Sequence, residues 1–165
     1  MPSLHRISPC LWYDGQAEAA AKLYTSVFPN SRITDTTHYF DSGKEIHGHD
    51  AGKVLTVSFE LDGLGFTALN GGPQFKFTEA ISLMITCETQ EEIDHYWYKL
   101  SDGGPVEAQQ CGWLKDRFGL SWQVTPTAIL RMIAHPDREK AERAFSAMMQ
   151  MKKLDIAALE KAFAG

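Results

Sequence analysis

The order of predicted elements runs through this chain twice, and a repeated unit restricts the fold more than any single motif does. Ile7 to Tyr13 reads as a strand, and GQAEAAAKLYTSVF places Ala17, Ala20, Ala21, Tyr24 and Phe28 at helical spacing before Pro29. Ser31 to Phe40 has the β-branched and aromatic content of a strand, and the polar, Gly-rich DSGKEIHGHDAGK reads as a loop. KVLTVSFELDGLGFTALNGG then predicts two alternating strands joined at Asp62-Gly63, residues that tolerate positive φ. After GGPQFKF the order begins again. ISLMITCE reads as a strand, and TQEEIDHYWYKLSDGG as a helix with Thr89 at its N-cap and Glu92 three residues on. EAQQCGWLKD and GLSWQVTP read as two strands around a turn at Asp116 to Gly119. The second copy therefore has a short third strand. Beyond about Ala128 the chain reads as helical, with Asp137 and Asp155 as starts and Phe145, Met148, Leu159 and Phe163 on apolar stripes.

The chain is long enough for one domain with a core of its own, or for two small modules that share one sheet. A net charge of −5 and no clustered Lys or Arg exclude a phosphate-tracking surface, so nucleic acid is not an expected partner. No run of about 18 apolar residues is present to cross a bilayer, and MPSLHRISPCLWYDG lacks the apolar centre of a signal peptide. The expectation is a cytoplasmic protein. Cys10, Cys87 and Cys111 are odd in number and show no CxxC spacing, which fits reduced thiols better than disulfides or a zinc knuckle.

The duplicated strand-helix-strand-strand-strand unit, opened by LWYDGQAEAAAKLYTSVFP and closed by KDRFGLSWQV, resembles the vicinal oxygen chelate superfamily, which has the glyoxalase/bleomycin resistance/dioxygenase fold. LTVSFELDG, FTALNGGPQFKF, ISLMITCETQEE and KDRFGLSWQVTP are most similar to its PhnB-like branch, which carries the name 3-demethylubiquinone-9 3-methyltransferase. The resemblance covers about residues 4 to 126 and, through the MMQMKKLDIAALEKAF ending, is expected to extend over the whole chain. It implies an α+β fold of paired βαβββ modules, about 4–72 and 80–126, lining a groove, with 127–165 as a C-terminal helical extension. A domain of 1–126 follows, and a homodimer is expected.

Metal-dependent members of the superfamily grip one divalent ion with four side chains, and the resemblance carries those positions to Pro9, Phe66, Ser82 and Gln123. Proline and phenylalanine have no donor, a serine hydroxyl is a poor ligand, and only the Gln123 carbonyl suits a hard cation, weakly. The expectation is no metal and no cofactor. Strand alternation from those positions adds Leu11, Tyr13, Ala68, Asn70, Met84, Thr86, Cys111, Trp113, Ser121 and Thr125 to one groove-facing set.

Aromatic and thioether walls with a few neutral hydrogen-bonding groups suit a small aromatic or apolar molecule. The expected contacts are Tyr13, Phe66, Asn70, Phe75, Ser82, Trp113 and Gln123, with Gln74, Phe75 and Phe77 as a lid and no assignable catalytic residue. Cys111 lacks a His or Lys predicted beside it to activate the thiol.

Two alternatives differ in class. A divalent-metal lyase, isomerase or dioxygenase would relocate its ligands to EIHGHD, where His47 and His49 stand at i, i+2 with Asp50 or His38 as a third. An interaction protein would instead offer a wide apolar face on the C-terminal helices. Methyl transfer as the family name has it is disfavoured. Gly71-Gly72 leads into Pro73 and Gly103-Gly104 ends a helix, so neither forms the strand, Gly-rich turn and helix that usually hold adenosylmethionine.

Overall fold

The structure is a computed structural model and describes residues 6–165. Backbone contacts divide the chain into two units, one ending at Lys76 and the other spanning Phe77–Gly165. Among the described residues no helix is long and apolar enough to cross a membrane.

In the first unit, β1 (Cys10–Tyr13), α1 (Ala17–Val27), β2 (Arg32–His38), α2 (Lys44–His47), β3 (Val54–Leu61) and β4 (Leu64–Asn70) follow in order. Their sheet runs β1-β4-β3-β2, with β1 parallel to β4 and the other pairs antiparallel. The β3–β4 hairpin forms at Asp62-Gly63, where both residues take positive φ (45° and 82°) as the sequence requires. α1 stops at Phe28, before Pro29, and buries Ala17, Ala20, Ala21, Tyr24 and Val27. Small residues let it lie close to the sheet, whose Val57, Phe59, Leu61, Phe66 and Ala68 are buried. Two elements differ from expectation. β1 begins at Cys10 rather than Ile7, and the polar loop contains the single helical turn α2.

The second unit contains β5 (Ser82–Cys87), α3 (Gln90–Ser101), a 3-10 turn at Val106–Ala108, β6 (Trp113–Lys115), β7 (Ser121–Pro126), α4 (Thr127–Ile133), α5 (Arg138–Met149) and α6 (Ile156–Ala164). The sheet order is β5-β7-β6, again with the first and last strands parallel. Thr89 and Glu92 form the reciprocal capping box expected at the start of α3. Asp137 and Asp155 cap α5 and α6 through their side chains.

At the Asp116 turn, Oδ1 accepts the N–H groups of Phe118 (2.8 Å) and Leu120 (3.1 Å), and Oδ2 accepts the indole N–H of Trp122 (2.9 Å). A carboxylate only 1% exposed is thereby matched with three donors. The C-terminal helices have their own core of Ile129, Met132, Ala144, Leu154 and Leu159. Gln90 links this segment to α3 by donating to the Leu154 carbonyl (3.1 Å) and accepting the Ile156 N–H (2.9 Å).

Candidate functional site

Alternation along β5 and β7 gives the second sheet two unlike faces. Ile85, Cys87, Leu114, Trp122 and Val124 are buried, whereas Ser82, Met84, Thr86, Trp113, Gln123 and Thr125 have the opposite parity and are partly or fully accessible. Gln123 lies between Met84 of β5 and Trp113 of β6 in the strand register. Its amide Nε2 donates to Ser82 Oγ at 2.8 Å. Ser121, next on this parity, is 1% exposed and its hydroxyl has no hydrogen-bond partner.

α4, α5 and the segment between α5 and α6 complete a cavity of about 610 Å³ over this face. Met84, Trp113, Gln123 and Thr125 line it from the sheet, and Leu130 and Met149 from the helices. Ser82, Trp113 and Gln123 therefore belong to one surface, two of them lining the cavity and the third bonded to Gln123.

The first unit orders its candidates differently. Counting from Pro9 and Phe66 puts Leu11, Tyr13, Ala68 and Asn70 on the open face, but the structure turns this parity into the core. Tyr13 Oη lies 3.2 Å from Tyr24 Oη of α1, and Phe66 stacks on Phe59 with ring centres 5.3 Å apart. Asn70 Oδ1 accepts the N–H of Ala17 at 2.9 Å, and its Nδ2 donates to the Val54 carbonyl at 3.2 Å. A one-residue offset exchanges the faces of a strand, so the accessible parity is that of Cys10, Trp12, Thr67 and Leu69.

Trp12 is the aromatic that the alternation misses. Its indole N–H donates to the Gly72 carbonyl at 2.8 Å, and a Cβ on Gly71 would collide with its ring. Exposed Phe75 meets Trp12 edge-on, with ring centres 4.8 Å apart. The signal for this arrangement was Gly71, a residue without a side chain directly after a strand that contains no other glycine after Gly65.

The donors present do not suit the superfamily's divalent metal. Ser82 and Gln123 are neutral and already bonded to each other, and Phe66 is packed in the core, so this set does not fit a hard cation. In the EIHGHD loop, His47 Nδ1 accepts the N–H of His49 at 3.1 Å while Nε2 lies 3.3 Å from the Ser42 carbonyl. Both rings rest on Tyr39 (centres 4.6 and 4.4 Å away), and Asp50 pairs with Lys44 and Lys53. Among the described residues no group of three or more His, Cys, Asp or Glu side chains is arranged to hold a metal.

Adenosylmethionine fares no better on the chemistry of the backbone. Gly71 makes room for Trp12, and a Cβ on Gly104 would run into the Lys115 carbonyl, so these glycines serve packing within their units. Neither glycine pair opens a helix.

Two βαβ-containing units with the same parallel pairing of first and last strands define an α+β protein of the glyoxalase/bleomycin resistance/dioxygenase fold. A Pseudomonas aeruginosa protein of known structure shares this fold, at TM-score 0.57 and 19% identity over 75% of this chain and 98% of its own. A PhnB protein from Bacillus cereus, named for 3-demethylubiquinone-9 3-methyltransferase, is 34% identical, with TM-score 0.64 over 74% of this chain and 99% of its own.

The sequence pattern of the family described as 3-demethylubiquinone-9 3-methyltransferase matches residues 5–125. The chain belongs to that PhnB-like family of the vicinal oxygen chelate superfamily. No curated protein matches it. The family match ends at residue 125 and does not run through the MMQMKKLDIAALEKAF ending, so α4, α5 and the segment before α6, which wall one side of the cavity, lie beyond it.

Proposed function

We propose that this protein binds a small aromatic or apolar molecule over the sheet of its second unit, without a hard divalent metal, and acts as a homodimer. The observation that carries the reading is the cross-strand row Met84, Gln123, Trp113 beneath a cavity of about 610 Å³, within the range of small-molecule sites. Trp113 supplies a flat contact and Met84 a polarisable one. Gln123, oriented by Ser82, provides the polar handle.

On this reading Tyr13, Phe66 and Asn70 act through the fold of the first unit, and Phe75 forms with Trp12 a separate aromatic surface. The family's methyltransferase name is not adopted as an activity. All three cysteines are free, which suits the reducing cytoplasm.

The test is a screen of small aromatic compounds read by tryptophan fluorescence, with Trp113→Phe used to assign the signal among the four tryptophans. Trp113→Ala and Gln123→Ala are expected to weaken each hit by about tenfold or more, the scale of one lost contact of 1.4 kcal/mol. Unchanged affinity in both variants for every hit would overturn the proposal. Elemental analysis of protein purified without chelator accompanies the screen, and one equivalent of Zn, Ni, Mn or Fe per chain would overturn its metal-free part.

A further inference from the structure

Sulfur is concentrated on the lining of this cavity, and at one corner a thiol and a thioether meet. Of the five methionines among residues 6–165 (84, 132, 148, 149 and 151), Met84, Met148 and Met149 line it, together with Cys111. The Cys111 Sγ lies 3.7 Å from the Met149 Sδ. Glu79, the carboxylate on the lining, is ion-paired with Lys115, and among the described residues no histidine lines the cavity.

Cys111 is held there by an unusual backbone. It and Gly112 are the central residues of a two-residue turn in which Gln110 and Trp113 exchange both main-chain hydrogen bonds (2.8 and 3.1 Å). Their φ values, 52° and 83°, are left-handed, a conformation that Asn, Asp or Gly adopts at lower cost than cysteine. The Cys111 N–H donates to the Met151 carbonyl at 2.8 Å, and Gln110 Nε2 donates to the Met149 carbonyl at 3.0 Å. Thiol and thioether are thus brought together by a main-chain bond from the turn to Met151 and a side-chain bond from Gln110 to the end of α5.

We propose that this corner is a Cu(I) site, with the Cys111 thiolate and the Met149 thioether as ligands and a further thioether from Met84 or Met148. Thiolate and thioether donors select a soft monovalent ion over the hard divalent ions of the superfamily. Two sulfurs bound to one ion at about 2.3 Å can stand up to about 4.6 Å apart, and the observed 3.7 Å falls inside that limit. As the Cys111 S–Cu bond forms, the S–H proton passes to solvent. Copper keeps its oxidation state throughout. Exposed Met149 leaves the corner open to the ion. The site can share Met84 with the aromatic-ligand reading, but neither Trp113 nor Gln123 is a ligand to the ion, so loss of one reading leaves the other standing.

The experiment is anaerobic titration of the full chain with Cu(I) against the chromogenic competitor bicinchoninate. One Cu(I) per chain is expected, with one proton released per ion and a sulfur-only first coordination shell by X-ray absorption. Cys111→Ser is expected to lower affinity by about 100-fold and Met149→Leu by about tenfold. Cys10→Ser should leave affinity unchanged. Met149→Leu conserves volume and should keep its circular dichroism, which separates ligand loss from misfolding. Failure to take Cu(I) from the competitor, equal affinity in Cys111→Ser, or loss in Cys10→Ser would each overturn the assignment.

Discussion

The side-chain oxygen of Asn70, at the end of β4, accepts the backbone N–H of Ala17 at 2.9 Å and so caps α1 from 53 residues away. Gln16, the residue before the helix, makes no side-chain cap of its own. Asn70 therefore couples the strand end to the helix start, while its own carbonyl accepts the Tyr39 hydroxyl at 2.6 Å.

Asn70→Ala should destabilise the protein by about 1–3 kcal/mol, since it leaves the Ala17 N–H and the Val54 carbonyl without their partner. Urea denaturation measures this directly. A variant as stable as wild type but deficient in ligand binding would instead make Asn70 a ligand contact.

Asp116→Ala should cost more than a typical surface substitution, on the order of 2–4 kcal/mol, because three N–H donors lose one buried charged acceptor. Asp116→Asn keeps an acceptor for the turn but turns an amide toward the Trp122 indole N–H, so an intermediate loss is expected. The near-ultraviolet circular dichroism of Trp122 should change in both variants. Wild-type stability in Asp116→Ala would show that the buried turn is not a structural lock.

Burial, reinforced by the Glu92 carboxylate, pushes the Cys87 thiol up to about 12. Iodoacetamide at pH 8 should therefore leave Cys87 unmodified until the protein unfolds. The linkage has a definite sign. Above about pH 8.5 the unfolded chain releases this proton while the folded chain retains it, so stability falls as pH rises toward 12. Cys87→Ala should flatten that slope, and an unchanged slope would contradict the assignment. Cys10 is exposed, but partial burial raises its thiol as well, so its alkylation should accelerate with pH.

The Lys153 ammonium holds the Asp94 carboxyl below its ordinary range, and Asp94 in turn raises Lys153. The carboxylate's contribution is present above about pH 3.9 and disappears as pH falls through its lowered folded value. The lysine's contribution is present below about pH 10.4 and disappears as pH rises through its raised one. Asp94→Asn should thus lose a roughly constant amount of stability from pH 5 to about 9, no more than about 1 kcal/mol because the pair is solvent-screened. Convergence with wild type in strong acid, measured by thermal melts, is the outcome that checks the sign.

How much of this was legible depended on whether a residue's environment was written locally. The Asp62-Gly63 hairpin, the Thr89–Glu92 box and the Asp137 and Asp155 caps are short-range devices and stand where the sequence puts them. The accessible parity of the second sheet was also readable at Gln123 and Thr125, because the Asp116 turn fixes their phase, whereas Ser121 of the same parity is buried.

The first sheet was harder. Leu11 and Tyr13 compete with Trp12, and Ala68 with Leu69, so apolar content alone does not say which face meets α1. Only the helix decides, and it takes Tyr13, Phe66 and Asn70. The turn at Cys111 was hidden for another reason. A cysteine in left-handed conformation is not a turn signal, so EAQQCGWLKD reads as continuous strand although only Trp113–Lys115 of it forms β6.

Beside the Gln110 side-chain bond, two bonds between the Cys111-Gly112 turn and the segment after α5 use main-chain atoms on both sides: Cys111 N–H to the Met151 carbonyl and Gly112 N–H to the Lys152 carbonyl. Peptide groups are the same whatever side chain they carry. Mutation can therefore exchange Met148, Met149 or Met151 for other residues without undoing the fastening. The outer wall is attached independently of how it is furnished, which lets the chemistry of the cavity diverge while its frame stays in place.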